Sequence, residues 1–75
     1  MAISIGQLRA ARGLIGWSQA ELASAARVGR ATIADFESGK REPYERTLDL
    51  LKRALEQAGV EFTNGDQPGV KLRKG

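Results

Sequence analysis

The chain has no cysteine and no histidine. Without cysteine no disulfide can staple the fold. Without either residue a Cys/His zinc site is excluded, and so are a histidine base and a cysteine nucleophile. No phosphate-binding glycine loop and no paired carboxylates of a recognisable pocket are present, so an enzyme is not expected. No cofactor and no metal are expected. No apolar run approaches the roughly 20 residues that span a bilayer, so no membrane partner is expected. The N-terminus has no charged region leading into an apolar stretch, so no signal peptide is expected. The lack of cysteine fits a reducing cytosol, and the expected address is cytoplasmic.

What is there is small: 75 residues, enough for one domain with a modest core. Chains of this size usually need help to stay folded. With disulfides and zinc excluded, pairing with a second copy remains. The 12 Lys and Arg outnumber the nine Asp and Glu for a net charge of +3. That bias permits nucleic-acid binding without requiring it.

The spacing predicts four helices. From about Ser4 to Ile15, Ser4 is the N-cap, Ile5, Leu8, Ala11 (or Arg12) and Ile15 share a face, and Gly16 ends the segment. From Gln19 to Ala26, Ser18-x-x-Glu21 is a capping box, and Trp17 is placed to staple onto Leu22. After the turn Arg27-Val28-Gly29, the segment Arg30 to Glu37 carries Ile33 and Phe36 inward, with Gly39 as a stop. From Glu45 to Ala58, Leu48, Leu51, Leu55 and Ala58 form one stripe. The tail then alternates, with Val60 and Phe62 on one side of the turn cluster 64–69 and Val70 and Leu72 on the other. The expected organisation is a helical domain over residues 1–59 and a β-hairpin over 60–75.

Two short helices joined by a three- or four-residue turn describe a helix-turn-helix. Such a unit works because one helix fits the major groove of double-stranded DNA, where its N-terminal residues reach base edges. The stretch WSQAELASAARVGRATIADFESGKREP carries an ordered set of spacings. These are Ser18-Gln19-x-x-Leu22-Ala23, Val28 with Ile33 five on, Phe36-Glu37-x-Gly39-Lys40, and Pro43. In this it resembles the family of phage Cro and repressor proteins, often called the XRE family, over about two thirds of the chain, from Leu8 to Leu55. The resemblance implies a mainly α fold, a phage-repressor-like bundle of four to five helices, here with a short C-terminal β-hairpin. It also implies a transcriptional regulator, a repressor that binds an inverted-repeat operator as a homodimer. It would be nucleoid-associated when on DNA.

The same resemblance implies roles for single residues. Gln19 is either a phosphate contact at the start of the second helix or a solvated first-turn residue, the former preferred. Arg30, Ala31 and Asp35 match positions that face bases, with Thr32 beside them. Arg30 suits guanine O6 and N7, or else a phosphate. Lys40 and Arg41 match a basic loop along the DNA backbone. Tyr44 either donates to that strand or covers the fourth helix. Arg12 and Glu37 match an ion pair joining the first helix to the end of the third.

Three features depart from the family. Arg27 stands where the turn usually has Gly, and Gly29 where Ser or Thr caps the third helix. Asp35 puts a carboxylate on the DNA-facing side, where it can accept from cytosine N4 but repels phosphate. That keeps open a second reading, an antitoxin or anti-activator acting through a protein partner. The hairpin lies outside the family pattern. Its apolar residues Val60, Phe62, Val70 and Leu72 either seal a dimer, the preferred expectation, or fold onto the chain's own fourth helix. Lys71, Arg73 and Lys74 add attraction to DNA or protect a strand edge.

Overall fold

The computed structural model describes residues 3–63 and 68–73. The turn positions 64–67 and Lys74 lie outside the described residues. The order is α1 (Ile5–Ile15), α2 (Gln19–Ala26), α3 (Arg30–Glu37), α4 (Glu45–Gln57), β1 (Val60–Thr63) and β2 (Gly69–Leu72). Among the described residues no helix is long and apolar enough to cross a membrane.

Each boundary has a local cause. Ser4 caps α1 through a full capping box with Gln7, and Gly16 closes it in the left-handed region at φ 70°. Ser18 and Glu21 form the second box, at the start of α2. Gly29 precedes α3 without any side-chain cap. The C-cap of α3 is Ser38, and Gly39 follows it at φ 77°. α4 stops at Gln57 with Ala58 as its cap, one residue short of the expected end. Its inner stripe is also corrected: Ala54 is buried and Ala58 is exposed. On a helix of 3.6 residues per turn, 51, 54, 55 and 58 crowd one side, and the helix's end leaves the last of them outside.

The core draws on every element. Leu8, Leu22, Ile33, Leu51, Leu55 and Val60 are almost completely inaccessible. Ile3, just before α1, joins them, and Trp17 and Val28 pack against their edge.

β1 and β2 pair antiparallel, with Val60 opposite Leu72 and Phe62 opposite Val70. Alternation turns these four side chains to one face, towards α1 and α4. Val60 is buried, and Phe62 and Val70 pack against the core. Three of the four thus lie against the chain's own helices, as in the second of the two expectations for this face. Of the four, only Leu72 is exposed, at 50 %. Glu61 and Lys71 occupy the outer face, 3.6 Å apart.

Polar bonds fix the hairpin. Gln7 is a buried polar residue. Its Oε1 accepts from Ser4 N at 2.9 Å, while its Nε2 donates to Thr63 O at 3.1 Å and Gly69 O at 3.2 Å. At the other end Arg73 N donates to Gly59 O at 2.7 Å, and its guanidinium Nη2 to Glu56 O at 2.7 Å. The second of these bonds covers a C-terminal carbonyl of α4.

Candidate nucleic-acid interface

The surface begins with the turn between α2 and α3. Arg27 takes the left-handed conformation at φ 59° and ψ 44°. Its N–H and that of Val28 both donate to Ala23 O. This left-handed closure reverses the chain within three residues, so α3 starts at Arg30. Ile33 and Phe36 hold α3 to the core.

The opposite face of α3 is left for a ligand. Arg30 and Ala31 are exposed, and Thr32 and Asp35 are half-buried. Ala31 and Asp35 lie four apart, so they stack on the outer face. Apart from Arg30 at its start, α3 carries only short side chains there, which lets another surface approach its backbone.

The basic loop is tied to the same helix. The carbonyl of Asp35 accepts from Ser38 Oγ at 3.1 Å, Lys40 N at 2.9 Å and Arg41 N at 3.4 Å. The chain therefore folds back at Gly39, and Lys40 and Arg41 emerge beside the end of α3. Arg41 and Pro43 close a depression of about 200 Å³ with Ala31, Thr32 and Asp35. Tyr44 stands further out, 86 % exposed, and makes no capping bond to α4.

Behind this surface Arg12 and Glu37 form a two-pronged pair. Arg12 Nε reaches Glu37 Oε2 at 2.7 Å, and Nη2 reaches Oε1 at 2.7 Å. The third guanidinium nitrogen, Nη1, donates to Trp17 O at 2.9 Å. Only 7 % of the Glu37 side chain and 19 % of the Arg12 side chain are accessible. Burial by itself pushes the Glu37 carboxyl up. The bonds from Arg12 and Gln19, with the charges of Arg12 and Arg9, outweigh it and hold the group below its ordinary value. The bond to Glu37 raises the Arg12 guanidinium, against the opposing effect of burial. The pair thus locks α1, the α1–α2 connection and the end of α3 into one frame.

The structure gathers Arg30, Ala31, Thr32, Asp35, Lys40 and Arg41 on and around α3. It places Gln19 differently from a freely solvated residue. Gln19 is half-buried, and its Nε2 donates to Glu37 Oε1 at 3.0 Å. Sequence reasoning missed this bond, and also the contribution of Gln7. The Gln7 capping box was visible as Ser4-x-x-Gln7. Its reach to the hairpin had no local signal.

A helix-turn-helix family model matches residues 8–61, well over half of the chain. The match takes in α2, the turn and α3 entire, and runs on to the first residues of β1. No curated protein sequence matches the chain.

Proposed function

The chain belongs to the helix-turn-helix family, of the XRE type, and from that premise we propose that it is a repressor acting as a homodimer on an inverted-repeat operator. Membership carries the coarser statement: this is a DNA-binding transcriptional regulator. The observation that supports the finer reading is the union of α3 with the basic loop. The three bonds to the Asp35 carbonyl set Lys40 and Arg41 at a fixed height beside the outer face of α3. A helix seated in the major groove then presents Ala31, Thr32 and Asp35 to base edges, while the loop meets the flanking phosphates. Arg30 and the free amides of its turn add a cationic start to that helix.

Gln19 supports phosphate binding in a restricted way. One hydrogen of its amide is held by Glu37. The other hydrogen, and the unpaired backbone N–H groups of the first turn of α2, remain for a phosphate oxygen. Tyr44 extends the same flank. A protein of this kind represses by occupying DNA that polymerase needs, at a cytoplasmic address associated with the nucleoid.

A second copy doubles the contacts and fixes half-sites about 34 Å apart, one helical turn, or a multiple of that. Leu72 is the part of the hairpin's apolar set left to meet it.

Selection of bound DNA from a random library, followed by titration of the winner against salt, tests this reading. The expected result is an enriched inverted repeat whose affinity falls with salt at a log–log slope of about 0.9 per phosphate contact. Weak binding that ignores sequence would overturn it.

A further inference from the structure

We propose that Asp35 and Arg41 together read one C·G base pair, and that the depression beside them accepts a methyl group on C5 of that cytosine. The inference rests on the regulator reading and names the base chemistry of the same site.

Asp35, Arg41, Ala31, Thr32 and Pro43 line one depression of about 200 Å³. Its lining residues bring three chemistries: Asp35 has a carboxylate that only accepts, Arg41 a guanidinium that only donates, and Ala31, Pro43 and Thr32 offer apolar surface. No ion pair among the described residues involves Asp35 or Arg41. Both therefore remain available to a ligand.

A carboxylate aimed into the major groove needs a donor opposite it, and only cytosine N4 and adenine N6 supply one. Their neighbours decide between them. Adenine N6 lies between its own N7 and thymine O4, and both of these acceptors repel a carboxylate. Cytosine N4 lies between guanine O6, an acceptor, and its own C5–H, which is apolar. Guanine O6 and N7 are the natural partners of a guanidinium. The C·G edge thus asks for a donor, an acceptor and an apolar surface, and the depression holds all three. Thymine is refused because its O4 would face Asp35. Cytosine methylated at C5 is admitted, because the depression is far larger than a methyl group and Ala31, Thr32 and Pro43 give it apolar lining.

This assigns Arg41 to base reading, beyond the backbone contact that its loop position implies. The loop can deliver it because its own N–H is held by the Asp35 carbonyl.

The test uses the full chain and the site obtained by selection, with affinity measured by fluorescence anisotropy. Each half-site is expected to hold one C·G pair at which C→T with its partner changed to A weakens binding roughly tenfold or more. Replacing that cytosine by 5-methylcytosine is expected to leave affinity within about threefold, or to raise it. Replacing its guanine by 7-deazaguanine is expected to weaken wild type, and to leave Arg41→Ala unmoved. Asp35→Asn is expected to lose the preference for C over T at that pair alone. The modified bases probe the wild-type protein, so the outcome does not depend on any variant folding. An enriched site with no such pair overturns the inference, as does a tenfold loss on methylation. Arg41→Ala weakening every sequence equally, with a shallower salt slope, removes Arg41 from base reading and overturns the paired assignment. No enriched site at all overturns this inference together with the regulator reading.

Discussion

Gln19 Nε2 donates to Glu37 Oε1 at 3.0 Å, the same oxygen that Arg12 Nη2 reaches at 2.7 Å. One carboxylate oxygen therefore gathers α1, the first turn of α2 and the last turn of α3. These bonds tie the start of α2 to the end of α3 in addition to the turn that joins them. Replacing Gln19 by Ala is expected to lower stability by about 1.5–3 kcal/mol, the worth of a hydrogen bond to a charged group. Urea unfolding at neutral pH measures it. In a Glu37→Ala background, which leaves no acceptor for the Gln19 amide, the same change should cost almost nothing, and an unchanged cost there would show that the bond is incidental.

The Glu37 carboxyl also makes stability depend on pH. Its folded value lies below the ordinary 4.5. A carboxylate held down in this way contributes its full stability above the unfolded value. That contribution fades as pH falls through the folded one. Glu37→Gln is expected to destabilise by about 3 kcal/mol near neutral pH, since it leaves a guanidinium mostly out of water with half its partner gone. The gap between wild type and variant should then narrow below about pH 4. Urea midpoints for both proteins across pH 3–7 give the comparison; a constant gap would mean that Glu37 does not titrate with folding.

Much of this frame was legible in the sequence where a local rule decides it. Ser18 with Glu21 fixed the start of α2, and the segment 30–37 came out with the bounds observed, because caps, glycines and a period of 3.6 act within a few residues. The hairpin's register face was readable from alternation, but alternation says which side is apolar and not what covers it. Val60 and Phe62 turned out to face the chain's own helices. The bond from Gln7 to Thr63 spans 56 positions, and nothing local announces it. The position of Arg41 beside Asp35 depends on backbone bonds to a carbonyl, which side-chain identity does not encode.

Arg27 carries a conformational penalty that can be removed. At φ 59° its Cβ crowds the following carbonyl, at a cost of about 1–2 kcal/mol. Glycine escapes that cost but adds freedom to the unfolded chain, worth about 0.4–1 kcal/mol. Arg27→Gly is expected to gain roughly 0.5–1 kcal/mol overall, which raises Tm by several degrees in a domain of this size. A lowered Tm would mean that the Arg27 side chain contributes more than its backbone costs.

Leu72 lets the proposed dimer be tested separately from the fold. It is half exposed, whereas Phe62 and Val70 on the same sheet face pack against the core. Leu72→Ser is therefore expected to leave the thermal transition within about 0.5 kcal/mol of wild type at low concentration, while sedimentation shifts from dimer to monomer. Wild type that sediments as a monomer at tens of micromolar would remove the hairpin from any self-association. An intact dimer in the variant would place the contact elsewhere.

Gln7 joins the two ends of the chain, and its removal should loosen one before the other. Its amide satisfies Ser4 N and two hairpin carbonyls at once, from a site almost closed to water. Gln7→Met keeps the bulk and discards the bonds. The backbone groups at Ser4, Thr63 and Gly69 then lose a partner in a place where water reaches poorly, a cost of about 1–3 kcal/mol. The loss should fall on the hairpin, because α2, α3 and α4 keep every bond they have. Amide hydrogen exchange read by NMR is expected to show β1 and β2 opening at lower free energy than the helices, with α4 least changed. Equal loss of protection throughout would mean that hairpin and helices unfold as one unit, and that Gln7 stabilises the whole rather than docking its last element.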